Sequence, residues 1–117
     1  MSYNIQTSKE FETAVKKLAK RYRSLPRDLK MLRDSLLENP FQGTELCPNI
    51  RKVRMSIESK GRGKSGGARV ITATAIVTEN EGRIALLAIY DKSDASNVNM
   101  AVIKHIAREL GIDIDKN

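Results

Sequence analysis

A chain of 117 residues with 40% apolar and 30% charged content has room for one modest core and reads as a single domain over residues 1–117. Only 4% of it is aromatic and it has no Trp, which argues against an exposed base-stacking platform of the RRM or OB-fold kind. One cysteine (Cys47), one histidine (His105) and no acidic cluster at ligand spacing leave no disulfide, no expected metal and no expected cofactor. The lack of a signal pattern or long apolar run points to the cytoplasm and away from membranes.

Tyr3 to Gln6 suits a short first strand. Thr7 and Glu10 form a T-x-x-E capping box that opens a helix, with Phe11, Val15, Leu18, Tyr22 and Leu25 on one apolar stripe. Lys16, Lys17, Lys20, Arg21 and Arg23 occupy the other face, a solvated surface able to assist against phosphates. Ser24-Leu25-Pro26 breaks and restarts the chain into a second helix with Leu29, Leu32 and Leu36 inward, stopped by Asn39-Pro40. The short connection predicts an antiparallel helical hairpin.

The period then changes. From Ile50 to Glu58, Val53, Met55 and Ile57 alternate with Lys52, Arg54 and Ser56, so Lys52 and Arg54 project from the face opposite the apolar set. Ser59 to Gly67 is a loop with four glycines and the cations Lys60, Arg62 and Lys64, read as mobile until bound. A strand from Ala68 to Thr78, a turn at Glu79-Asn80-Glu81-Gly82 and a strand from Arg83 to Tyr90 follow. The last helix spans roughly Val98 to Leu110, with Val98, Val102, Ile106 and Leu110 on one side and Gly111 as its C-cap. The order β-α-α-β-β-β-α predicts an α+β fold with helices on one face of a small antiparallel sheet.

Charge is concentrated in Ile50–Val70, where Arg51, Lys52, Arg54, Lys60, Arg62, Lys64 and Arg69 face Glu58 alone and carry nearly all of the formal net charge of +7. Cations on rigid strands beside a basic loop suit a shaped polyanion, RNA or DNA first. Arg69 begins one strand and Lys92 follows the next, so Lys52, Arg54, Arg69 and Lys92 are expected to converge on one patch with their side chains in solvent. Tyr90, near a strand end, divides between half-core packing and a functional hydroxyl. Gly63-Lys64-Ser65 imitates the end of a phosphate-binding loop, but Glu58 stands where that pattern needs glycine and a strand, not a helix, follows. His105 has no partner constellation and Cys47 no His–Asn context; both read as incidental.

Gly61-Arg62-Gly63-Lys64-Ser65-Gly66-Gly67-Ala68-Arg69-Val70-Ile71, followed by Ile89-Tyr90-Asp91-Lys92-Ser93, resembles the RelE/HigB group of bacterial type II toxin–antitoxin toxins. Arg51-Lys52-Val53-Arg54 fits the first strand of that family's catalytic sheet. The resemblance implies a compact microbial RNase fold that cuts mRNA on the ribosome and is neutralised by a cognate antitoxin protein. It places Lys52, Arg54 and Arg69 at the family's basic catalytic positions and Lys92 in the segment that supplies a further basic residue. Relatives carry Tyr or His where this chain has Asn97 and Asn99, which makes Tyr90 the nearest aromatic candidate. Arg51, Lys60, Arg62 and Lys64 are then the expected RNA contacts. Two alternatives share the scaffold: a non-enzymatic nucleic-acid- or protein-binding module, and a ParE-like gyrase inhibitor.

Overall fold

The structure, a computed structural model, describes residues 1–95 and 97–114. In chain order it contains β1 (Ser2–Thr7), α1 (Lys9–Arg21), α2 (Leu25–Glu38), β2 (Thr44–Cys47), β3 (Ile50–Met55), a 3-10 turn at Glu58–Lys60, α3 (Gly63–Gly66), β4 (Ala68–Ile76), β5 (Glu81–Asp91) and α4 (Met100–Glu109). The α+β class expected from the sequence holds. The sheet has five strands in the order β1-β5-β4-β3-β2. It is mixed rather than antiparallel, because β1 pairs parallel with β5 while the other neighbours run antiparallel. β2 is absent from the sequence reading; Thr44–Cys47 is only four residues long and half polar, and only its pairing with Ile50–Lys52 defines it.

Helices cover both faces of the sheet, not one. On the first face Phe11 and Leu18 of α1 and Leu25, Leu32 and Leu36 of α2 pack on Val53, Met55, Val70, Ile84, Leu86 and Ile89. On the second, Ile103, Ile106 and Ala107 of α4 pack with Ile112 and Ile114 on Ile50, Ile71, Ala73, Ala85 and Leu87. The cause lies in the central strands. Seven consecutive residues of β4, Ala68–Thr74, are buried, a run that needs cover on both sides. The inward stripe of α4 is rotated from the one expected, and Val102 is exposed. Both stripes share Ile106, and helical spacing alone does not choose between them.

Ser8, not Thr7, caps α1. Its extended backbone lets its Oγ accept from the Phe11 N–H at 2.9 Å and donate to the Leu87 carbonyl at 2.8 Å. Leu87 is the extra residue of a bulge in β5, where the register with β4 shifts between Ile71 and Thr72, so the cap also satisfies an irregular carbonyl. Asn39 ends α2, and Gly111 (φ +75°) follows α4 in the left-handed conformation, as expected.

Candidate nucleic-acid interface

In antiparallel strands, residues directly opposite one another share a face. Arg54 pairs with Arg69 across β3 and β4, and Arg69 pairs with Tyr90 across β4 and β5. Arg54, Arg69 and Tyr90 therefore form one transverse row. Lys52 lies on the same face in the next row, opposite Ile71. This is the face that α4 covers further along, at Ile50, Ala73 and Ala85. The row lies at the end of the sheet where the chain crosses through the glycine-rich segment; Tyr90 packs against the edge of the cluster under α4, and Arg54 lies outside it.

Two arginines in direct opposition repel, and the structure separates them. Arg54 is exposed. Arg69 is only 7% exposed, against the expectation of a solvent-facing side chain. Its guanidinium donates to the Lys64 carbonyl at 3.0 Å, the Ser65 carbonyl at 3.0 Å and the Ala68 carbonyl at 3.2 Å. The unsatisfied carbonyls of the one-turn helix α3 thus bind the cation that follows it. Tyr90 is half-buried, and its hydroxyl, shielded from solvent, has no hydrogen-bond partner among the described residues. Burial raises the phenol pKa above its ordinary value, and the nearby Arg69 charge only partly opposes this. Lys92 lies just past the end of β5; its backbone N–H donates to the Gly67 carbonyl at 3.0 Å and its side chain is exposed.

The segment from Ser59 to Gly67, expected as an irregular loop that orders only on binding, is instead built from the 3-10 turn and α3. Gly61 (φ +73°) joins the two turns. A side chain at Gly67 would run into the Met55 carbonyl, so only glycine lets the chain re-enter the sheet so close to β3. Arg62 and Lys64 are exposed. Among the described residues no carboxylate lies within ion-pair distance of Lys52, Arg54, Arg62, Lys64 or Lys92.

Two expected RNA contacts are committed elsewhere. Arg51 pairs with Thr72, on the helical-hairpin face, where its guanidinium lies 5.1 Å from the Phe41 ring centroid and 3.4 Å from the Glu45 carboxylate. Odd and even positions of one strand point to opposite faces, so Arg51 cannot join Lys52 and Arg54. Lys60 donates to Asp91 Oδ1 at 2.6 Å and to Ser93 Oγ at 2.7 Å.

Asp91 is the residue that the sequence reading passed over. Its side chain is inaccessible, yet Oδ2 accepts from the Tyr22 hydroxyl at 2.5 Å and the Arg21 guanidinium at 3.1 Å, while Oδ1 accepts from Lys60 and from the Ser93 N–H at 2.9 Å. Burial alone would raise its pKa. The hydrogen bonds from Lys60, Tyr22 and Ser93 and the Lys60 charge together outweigh that, and the carboxyl lies well below the usual range. The same Asp91 bond, with burial second, raises Tyr22. The available signal was an acid closing the apolar run Ile84–Tyr90, a position where a carboxylate must find cations. His105 lies on the solvated side of α4, 3.1 Å from Glu109, and Cys47 is an unpaired, half-buried thiol.

No helix among the described residues is long and apolar enough to cross a membrane. Comparison with protein-family models and with curated proteins finds no match for this chain.

Proposed function

We propose that the protein is a RelE/HigB-type toxin with the RelE-like fold, an endoribonuclease that cuts translated mRNA on the ribosome and is held in check by an antitoxin protein. The observation that carries this reading is the cross-strand row Arg54–Arg69–Tyr90 with Lys52 beside it on the same face. In the reaction, the ribose 2′-hydroxyl gives its proton to solvent water as its oxygen attacks the adjacent phosphorus, and the 5′-oxygen leaves and takes up a proton, giving a cyclic phosphate and a free 5′-hydroxyl. Lys52, half-buried, and Arg54, exposed, have no carboxylate partner among the described residues and supply positive charge to the pentacoordinate phosphorus. The role assigned to Tyr90 is proton donation to the leaving oxygen; burial makes its phenol a weaker acid than usual, so this role requires RNA binding to uncover the hydroxyl that is shielded here. Arg69 positions α3 through the Lys64 and Ser65 carbonyls. Lys92, Arg62 and Lys64 hold flanking phosphates.

One observation favours the non-enzymatic binding module instead: the Arg69 guanidinium already donates to three main-chain carbonyls. Induced expression with primer extension on a translated reporter separates the readings. New 5′ ends inside the reading frame support the nuclease. An intact message in growth-arrested cells rejects it, and inhibited gyrase in those cells selects the ParE-like alternative.

A further inference from the structure

Between α2 and the β3 edge lies a groove of about 380 Å³, within the range of small-ligand clefts. Its apolar lining is Met31, Leu32 and Met55, and Met31 is 65% exposed although it is a large apolar side chain. Arg54 and Lys64 also line it, and both lack carboxylate partners among the described residues. Its own acids are already engaged. Asp28 accepts from the Ser24 hydroxyl at 2.7 Å and from the Glu58 N–H at 3.3 Å, and Glu58 is ion-paired to Arg27. The free charge of the groove is therefore positive, above an apolar lining.

We propose that this groove binds one nucleotide unit of RNA, the base against Met31, Leu32 and Met55 and the phosphate between Arg54 and Lys64. The proposal rests on the nuclease reading for the origin of the nucleotide, because Arg54 belongs both to the groove and to the cross-strand row. Methionine sulfur makes favourable contact with aromatic rings, which lets a chain poor in aromatic residues hold a base. A phosphate between two free cations completes the complementarity. An extended peptide fits less well. Gly43 lies against the Lys52 carbonyl and the Val53 side chain, so little of the β3 edge is open for strand pairing. The Gln42–Ser35 bond at 2.8 Å and the Asp28–Glu58 contact also tie the lining together on either side.

The four methionines provide the test. In the full chain with ¹³C-methyl methionine, adenosine 5′-monophosphate should shift the Met31 and Met55 methyl signals and leave Met1 and Met100 in place. Inorganic phosphate should move neither pair. Arg54→Ala with Lys64→Ala should weaken the nucleotide about tenfold or more, the loss of at least one charge-assisted contact. Met31→Ala, at an exposed position that preserves the fold, should weaken it as well. Silent methyl groups at saturating nucleotide, or equal shifts at all four methionines, overturn the proposal. So does an acidic peptide that moves Met31 and Met55 where the nucleotide does not, which would make the groove a protein-docking surface. RNA cleavage by a protein whose methyl groups stay silent removes the groove and leaves the nuclease standing; a methyl response in a protein that never cuts RNA does the reverse.

Discussion

The two sides of the sheet treat positive charge in opposite ways. On the helical-hairpin side, Lys60 and Arg21 close on the inaccessible Asp91 with Tyr22 beside them, and Arg51 lies over Phe41. On the other side, Lys52 and Arg54 project with no carboxylate partner among the described residues, as do Arg62 and Lys64 on the crossing segment between β3 and β4. The seven cations of Ile50–Val70 look alike in the sequence, yet Arg51, Lys60 and Arg69 are held by other groups of the fold, while Lys52, Arg54, Arg62 and Lys64 have no carboxylate partner among the described residues. The lesson is that a basic stretch measures total charge, while the function depends on the part that no acid or carbonyl has claimed.

The sharpest way to break this contrast is to remove the acid. Asp91→Asn should destabilise the fold by about 3 kcal/mol in denaturant unfolding, because it leaves Lys60 in an enclosed site without its counter-charge. The sign with pH follows from a depressed folded pKa: the contribution is complete above the ordinary carboxylate value near 3.8 and is lost as pH falls below it. The stability gap between wild type and Asp91→Asn should therefore hold from pH 7 to about pH 5 and narrow below pH 4. A gap that does not depend on pH would mean that shape, not charge, holds the cluster.

Lys52→Ala and Arg54→Ala should act on the other side of the comparison. Each should lower cleavage of translated RNA by about a hundredfold while stability changes by no more than about 0.5 kcal/mol. A large fall in unfolding midpoint would show that these side chains, too, are structural. Arg69→Ala falls between the two classes. Its three carbonyl bonds predict a loss of about 2 kcal/mol, with activity falling alongside. Arg69→Lys should recover only part of the stability, since an ammonium cannot reproduce the fork.

The smallest effects compare a committed cation, Arg51, with the unpaired Arg62 and Lys64. Arg51→Ala should remove about 1 kcal/mol of packing and cation–ring contact and leave ribosome affinity unchanged. Neutralising Arg62 and Lys64 together should lower the salt slope of ribosome binding by up to about 1.8, without altering stability. Equal slopes for Arg51→Ala and the Arg62/Lys64 double variant would erase the distinction between committed and free cations.

Much of this protein was decided by local rules. Period-3.6 stripes define α1 and α2, period-2 alternation in Ile50–Ile57 sets Lys52 and Arg54 opposite Val53 and Met55, and Gly111 ends the last helix. Those patterns act over a few residues and need no partner, so the α+β class and the shared face of Lys52 and Arg54 were legible in the chain. Pairing decided the rest. Only the register between β3, β4 and β5 aligns Arg54 with Arg69 and Tyr90, and only β4, buried along Ala68–Thr74, requires α4 on the second face. Partners 70 and 31 residues away turn Asp91 into an anchor and Lys60 into its counter-charge. No local pattern predicts them, because an ion pair in a folded protein depends on distance in space and the competing pull of water, neither of which sequence separation measures.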